Sequence, residues 1–372
     1  MIPVNTPILG EQEKINLMQC IESGWISSEG PLVAEFEQQF ASKVGRKYGV
    51  AVMNGTAALY VAVRALKLPP GSEVILPTFC IISCLQAVIE NQLVPVLVDC
   101  DEHTWNMDCN VIEHKISKKT KAIMVVHTYG LPVDMEPLIQ LANQYHLKII
   151  EDAAEVIGQT YKSKTCGSFG DISIVSFYPN KHITTGEGGM VLTDSKALAE
   201  QAKKLRNLAF EKDKRFYHTE LGWNFRMTNV QAAIGLAQLE RLDDNIAKKR
   251  EIGIRYAEAF KDIPYIQIPL AETTSAQNIY WVFGIVLAKP LMRHHIIQQL
   301  EELGIGTRPF FWCMHEQPIL QKMGYFKEEK HPVSENLARQ GFYLPSGLGL
   351  SEEEQNYVIK SFKNIMEHRY PC

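Results

Sequence analysis

The chain has 372 residues, 46% hydrophobic and 22% charged, with a formal net charge of −4. That length and balance describe a globular protein of about two domains, and no basic excess suggests a nucleic-acid footprint. No apolar run approaches the roughly 20 residues of a membrane helix, and the first residues lack the basic and apolar parts of a signal peptide.

Residues 11–23 read as a helix, the stretch from Gly24 to Gly30 breaks it, and residues 32–44 form a second helix. A strand at 49–53 follows, then a helix over 57–66 opened by Asn54, Gly55 and Thr56. Strands are expected at 73–77, 94–98, 121–126, 147–152, 171–177 and 189–193. Helices are expected to about residue 91, over 111–117, over 134–145 and over 196–206. Residues 210–220 read as a loop, and 229–258 as one long helix or two. The last third is expected to hold strands at 278–287 and 304–310, a helix over 291–303, and a final helix capped by Ser351.

Short Val/Ile-rich strands alternating with helices indicate an α/β fold with a mostly parallel sheet covered on both faces. The expected division is a large domain over 1–245, including the N-terminal helices, and a smaller α+β domain over 246–372. In such sheets ligands bind beyond the carboxyl ends of the strands. Asn54 to Thr56, Asp152, and Ser176 to Lys181 all fall at or just after strand ends. They are therefore expected to share one crevice.

Each has its own chemistry. A lysine held in a turn between buried strands loses solvation, which favours the neutral, nucleophilic amine. Lys181 is thus a candidate Schiff-base lysine. Asp152 ends an apolar strand and needs a cationic partner. A helix start with a glycine suits a phosphate, and Ser176 could add a hydroxyl to it. Singly, these could be a loop lysine, a turn cap and an ordinary helix start. Together they match the aldehyde, ring nitrogen and phosphate of pyridoxal 5′-phosphate. Of the eight cysteines only Cys80 and Cys84 are close, which is no zinc or iron–sulfur pattern. Reduced thiols in a cytoplasmic protein, and no metal, are expected.

Motifs along the whole chain carry a resemblance. They are Gly24-Trp-Ile-Ser-Ser, Asn54-Gly-Thr-Ala-Ala-Leu, Pro77-Thr-Phe, Glu151-Asp-Ala-Ala-Glu, Gly167-Ser-Phe-Gly-Asp, Ser176-Phe-Tyr-x-x-Lys181, Thr184-Thr-Gly-Glu-Gly-Gly and Gly222-Trp-Asn-Phe-Arg-Met-Thr-Asn. In this order they resemble the DegT/DnrJ/StrS sugar-nucleotide aminotransferases, which have the fold type I (aspartate aminotransferase-like) architecture. The resemblance implies that Lys181 binds the cofactor aldehyde and moves protons, that Asp152 pairs with the pyridine nitrogen, and that Gly55, Thr56 and Ser176 hold the phosphate. Asn224 is similar to an asparagine that reaches that phosphate from a neighbouring subunit, which implies a homodimer with shared sites. Glu155 falls near the ring hydroxyl. Where many relatives have an aromatic over the ring, this chain has Ile81. Trp25, Ser27, His182, Arg308 and His315 are candidate substrate contacts.

The implied reaction passes nitrogen from L-glutamate to C4 of a nucleotide-linked 4-keto-6-deoxyhexose. GDP-4-keto-6-deoxy-D-mannose is the first choice of acceptor and a dTDP- or UDP-linked 4-keto-6-deoxyglucose the second. The product would enter an O-antigen or another surface glycan. One sugar dehydratase of the family carries His where this chain has Lys181, so the lysine implies transamination rather than C3 deoxygenation. A non-catalytic regulatory homologue would tolerate loss of Lys181, Asp152 or Glu155, and all three are present.

Overall fold

The computed structural model describes residues 1–211, 213–214, 216–288 and 293–369. Helices α1 (Glu11–Ser23) and α2 (Pro31–Val44) lead into β1 (Tyr48–Val52), α3 (Gly55–Ala65), β2 (Glu73–Pro77), α4 (Ile82–Glu90), β3 (Val94–Val98), β4 (Thr120–Val126), α5 (Met135–Gln144) and β5 (Lys148–Asp152). A small hairpin of β6 (Thr160–Tyr161) and β7 (Lys164–Thr165) precedes β8 (Ile172–Ser176), β9 (Gly189–Thr193), α6 (Lys196–Arg206), α7 (Asn229–Glu240) and α8 (Leu242–Phe260). The remainder comprises β10 (Ile266–Gln267), β11 (Phe283–Leu287), α9 (Arg293–Glu302), β12 (Arg308–Pro309), α10 (Pro318–Lys322), α11 (Pro332–Gln340), β13 (Gly341–Leu344) and α12 (Glu352–Arg369).

Seven strands form the main sheet in the order β1-β9-β8-β5-β4-β2-β3. Its β2–β3, β2–β4, β4–β5 and β5–β8 pairs are parallel, while β9 runs antiparallel to both β1 and β8. One reversed strand has a consequence for the site. The start of β9 lies at the same sheet edge as the ends of β1, β5 and β8.

Both faces are covered, as the apolar strands require. Phe36 and Phe40 of α2, Leu138 of α5 and Leu236 of α7 pack on one face with Ile75, Ile123 and Val125. Leu59 and Val63 of α3, Leu85 of α4 and Leu205 of α6 pack on the other with Val74, Leu76 and Met124. Each such side chain contributes about 1.5–3 kcal/mol by leaving water. Phe177, just past β8, sits 5.1 Å and 5.0 Å from the rings of Phe36 and Phe40. That contact fixes the exit of β8 to the core.

A second sheet, β10-β11-β13-β12, lies in the C-terminal part. Position 245 falls inside α8, which serves two cores: Leu242 and Ile246 join the first, Ile252, Tyr256 and Phe260 the one over the small sheet. Ile2 pairs with Ile305, so the N-terminus also packs against the C-terminal part. Among the described residues no helix is long and apolar enough to cross a membrane.

Some expectations change. Residues 111–117 do not form a helix; they make 3-10 turns at Cys109–Val111 and Glu113–Lys115. The segment is too short to offset helix nucleation, and only Ile112 is buried there. Residues 229–258 are two helices that break at Arg241. The strand expected over 304–310 is reduced to β12. The start of the helix expected at Leu291 lies outside the described residues. The strand expected over 278–287 begins only at Phe283. Before it, Asn278 Oδ1 accepts the Tyr280 N–H at 2.7 Å, and Tyr280 takes a left-handed φ of 48°. This bend turns the next residue, Trp281, toward the sheet edge.

Candidate active site

At the end of β1, Asn54 caps α3 by accepting the Ala57 N–H at 2.8 Å. The first turn of α3 is left with unpaired N–H groups, which favour an anion. Gly55 lies against the end of β8. A Cβ there would sit 2.8 Å from Ser176 Cβ, so a side chain would close the gap between the two elements. Thr56 Oγ1 and Ser83 Oγ are 2.9 Å apart and add hydroxyls to the same place.

The loop from β8 to β9 closes on itself. Phe177 N–H donates to the Gly188 carbonyl at 2.8 Å, and Thr184 Oγ1 donates to the Phe177 carbonyl at 2.8 Å. Distant side chains then hold the carbonyls on either side of Lys181. Asn5 Nδ2 donates to the Pro179 carbonyl (2.9 Å), Trp281 Nε1 to the Asn180 carbonyl (2.8 Å) and Asn245 Nδ2 to the His182 carbonyl (2.9 Å). The lysine therefore stands on a backbone pinned from three parts of the chain.

A cavity of about 440 Å³ opens between these parts. Gly55, Thr56, Ile81, Asp152, Glu155, Ser176 and Lys181 all line it, as the sequence led us to expect. Asp152 is 4% exposed. Its Oδ1 accepts the Ala154 N–H at 3.0 Å and its Oδ2 the Cys84 thiol at 3.2 Å. Burial raises its pKa, and those two donors only partly offset the effect. Among the described residues no cation reaches ion-pair distance of Asp152. Lys181 Nζ lies 3.8 Å from Glu155 Oε1 and 3.8 Å from the centre of the Trp281 ring. Burial pushes the lysine down and Glu155 up, against the mutual attraction of the pair.

Other candidates are not brought into this cavity. His182 is 1% exposed and buried behind the loop, where Asn245 holds its carbonyl. His315 is 2% exposed, with Nδ1 2.8 Å from Thr78 Oγ1 and Nε2 3.2 Å from Glu335. Both imidazoles are buried in the interior and neither lines this cavity. Arg308 is exposed and pairs across the small sheet with Tyr343, which does line the cavity. Trp25 and Ser27 are exposed and do not line this cavity, and their carbonyls are held by Asn229. Asn224 accepts from Arg226 Nε at 2.9 Å and is outside the cavity of its own chain.

Trp281, Phe311 and Tyr343 line the cavity without having been foreseen. Trp281 was hidden in an apolar run that reads as a strand. Tyr178, Asn180 and Glu187 also line it, and their place beside Lys181 in the sequence could have marked them.

The lining suits pyridoxal phosphate. A glycine-backed helix start and three hydroxyls can take the phosphate, the uncompensated Asp152 can take a protonated ring nitrogen, and the lysine stands between. A match to the DegT/DnrJ/EryC1/StrS aminotransferase family covers residues 7–363. The chain is 41% identical over 364 residues to a GDP-perosamine synthase of Escherichia coli, covering 98% of each. It is 37% identical to a GDP-perosamine synthase of Caulobacter vibrioides, covering 98% of each. The PMP form of the putative sugar aminotransferase Spr1654 from Streptococcus pneumoniae superposes with a TM-score of 0.93 at 25% identity, over 99% of this chain and 98% of that one. Its PLP form superposes with a TM-score of 0.92.

Proposed function

The chain belongs to the DegT/DnrJ/EryC1/StrS aminotransferase family, and on that premise we propose that it aminates C4 of a nucleotide-linked 4-keto-6-deoxyhexose with nitrogen from L-glutamate. GDP-4-keto-6-deoxy-D-mannose is the proposed acceptor and GDP-perosamine the product. The names of the relatives at 36–41% identity support this choice. The observation that carries the reading is the convergence of Lys181, Asp152 and the α3 N-terminus on one cavity.

Pyridoxal phosphate, when bound, supplies an aldehyde for amine exchange and an electron-withdrawing ring. The α3 N–H groups, Thr56, Ser83 and Ser176 would hold the phosphate. Asp152 would keep the ring nitrogen protonated, and that charge would answer its own burial. Glu155 would stand near the ring hydroxyl and Ile81 against the ring face. Lys181, with its amine partly desolvated, would take a proton from the amino-acid α-carbon. It would later deliver one on the sugar side. Phe311 and Tyr343 exclude water from the same wall. The reading includes a homodimer in which the partner chain's Asn224 completes the phosphate site. It also includes a cytoplasmic location, supported by seven described cysteines that are all unpaired.

Lys181→Ala tests the assignment. We expect loss of turnover and of the visible absorbance that the bound aldehyde gives the wild-type protein, absorbance that glutamate should bleach. Repeated turnover by Lys181→Ala would rule out the role given to the lysine.

A further inference from the structure

Trp281 has no part in the chemistry above, yet its ring face meets the Lys181 amine. The lysine Nζ lies 3.8 Å from the ring centre. The ring is 4% exposed and its position is fixed at several points. Its Nε1 donates to the Asn180 carbonyl at 2.8 Å. Its own carbonyl accepts from the buried Lys249 Nζ at 2.7 Å, and Lys249 also donates to the Ser346 carbonyl. Its other neighbour is Tyr129, with ring centres 5.8 Å apart. A ring so held cannot turn away from the amine.

The negative face of an indole attracts an ammonium, most strongly where water is excluded. Lys181 when protonated is such an ammonium, and its side chain is 10% exposed. The other groups acting on it are Glu155 and Asp152 at and beyond the end of β5 and the Cys84 thiol of α4. Of these, Glu155 makes the measured contact, at 3.8 Å. Trp281 stands as a competing, uncharged acceptor.

We propose that Trp281 is a positioning residue whose ring face holds the free ammonium of Lys181 whenever that amine is not joined to the cofactor. An amine that paired fully with Glu155 or Asp152 would remove the carboxylate from its own task and become hard to deprotonate. Over the ring it is retained in the cavity while its contact with Glu155 stays long, at 3.8 Å. The proposal rests on the pyridoxal-phosphate reading of the site.

The test uses the full-length protein freed of cofactor. Pyridoxal phosphate is added across a range of pH, and the rise of visible absorbance gives a rate and a pH midpoint for the lysine amine. Trp281→Met keeps an apolar side chain but removes the aromatic face. We expect the midpoint to fall by about one unit, because the charged amine has lost its partner. Trp281→Phe should fall by a smaller step, and it serves alone if Trp281→Met does not fold. A purely structural role would loosen the loop and slow loading without moving the midpoint. An unchanged midpoint in the folded variants overturns the proposal. Wild-type protein that takes up no pyridoxal phosphate overturns the functional reading, and this proposal with it.

Discussion

Asp152 is the residue whose surroundings ask most clearly for a partner outside the protein. It is 4% exposed, and its donors are one backbone N–H and one thiol. Asn in its place keeps the shape and removes the charge that would hold a ring proton. We expect Asp152→Asn to retain cofactor absorbance while kcat falls on the order of 100-fold, the scale of a lost charge-assisted hydrogen bond. Steady-state kinetics measures it, and a near-normal kcat would refute the pairing. Asp152, Lys181 and Asn54 were legible because each is tied to a strand end, and strand ends can be read from short apolar runs. Trp281 was not legible, since it reaches the cavity across 100 residues of sequence by a bend that depends on Asn278. His182 and His315 failed for the opposite reason. An imidazole looks like a ligand in sequence, and only packing reveals that both are turned inward.

At the scale of elements, the start of α3 performs two jobs with two residues. Asn54 supplies the cap and Gly55 the clearance against Ser176. Asn54→Ala should lower stability by about 1 kcal/mol, measured by chemical denaturation. Gly55→Ala should behave differently. Its new Cβ, 2.8 Å from Ser176 Cβ, would push α3 from the end of β8 and weaken the phosphate site. We expect the cofactor dissociation constant to rise about 5- to 150-fold, the equivalent of about 1–3 kcal/mol for an overpacked contact. A titration that finds unchanged affinity would exclude α3 from the phosphate site. The alternation of strands and helices was readable over most of this half, because period and composition agree there. It failed over residues 111–117, where length decided against a helix, and over 278–282, where side-chain hydrogen bonding replaced a strand.

At the scale of the molecule, α8 ties the two cores together, and Lys249 on it is buried at the joint with carbonyls for partners. Burial pushes its pKa from 10.5 down to about 7. Below about 7 the folded protein must carry that charge in its interior. Between about 7 and 10.5 the unfolded chain still binds the proton while the folded one releases it, so this group makes stability rise with pH. Lys249→Met should flatten that rise, read as the difference in Tm between pH 6 and pH 9. An unchanged pH dependence would show that the charge is solvated in some other way. The direct measurement incubates purified protein and glutamate with GDP-, dTDP- and UDP-linked 4-keto-6-deoxy sugars in parallel, followed by mass spectrometry. We predict glutamate-dependent replacement of the C4 oxygen by an amine, most rapidly on GDP-4-keto-6-deoxy-D-mannose, with 2-oxoglutarate formed in equal amount. A sugar that loses a hydroxyl without gaining nitrogen, or no reaction with any of the three, would contradict it.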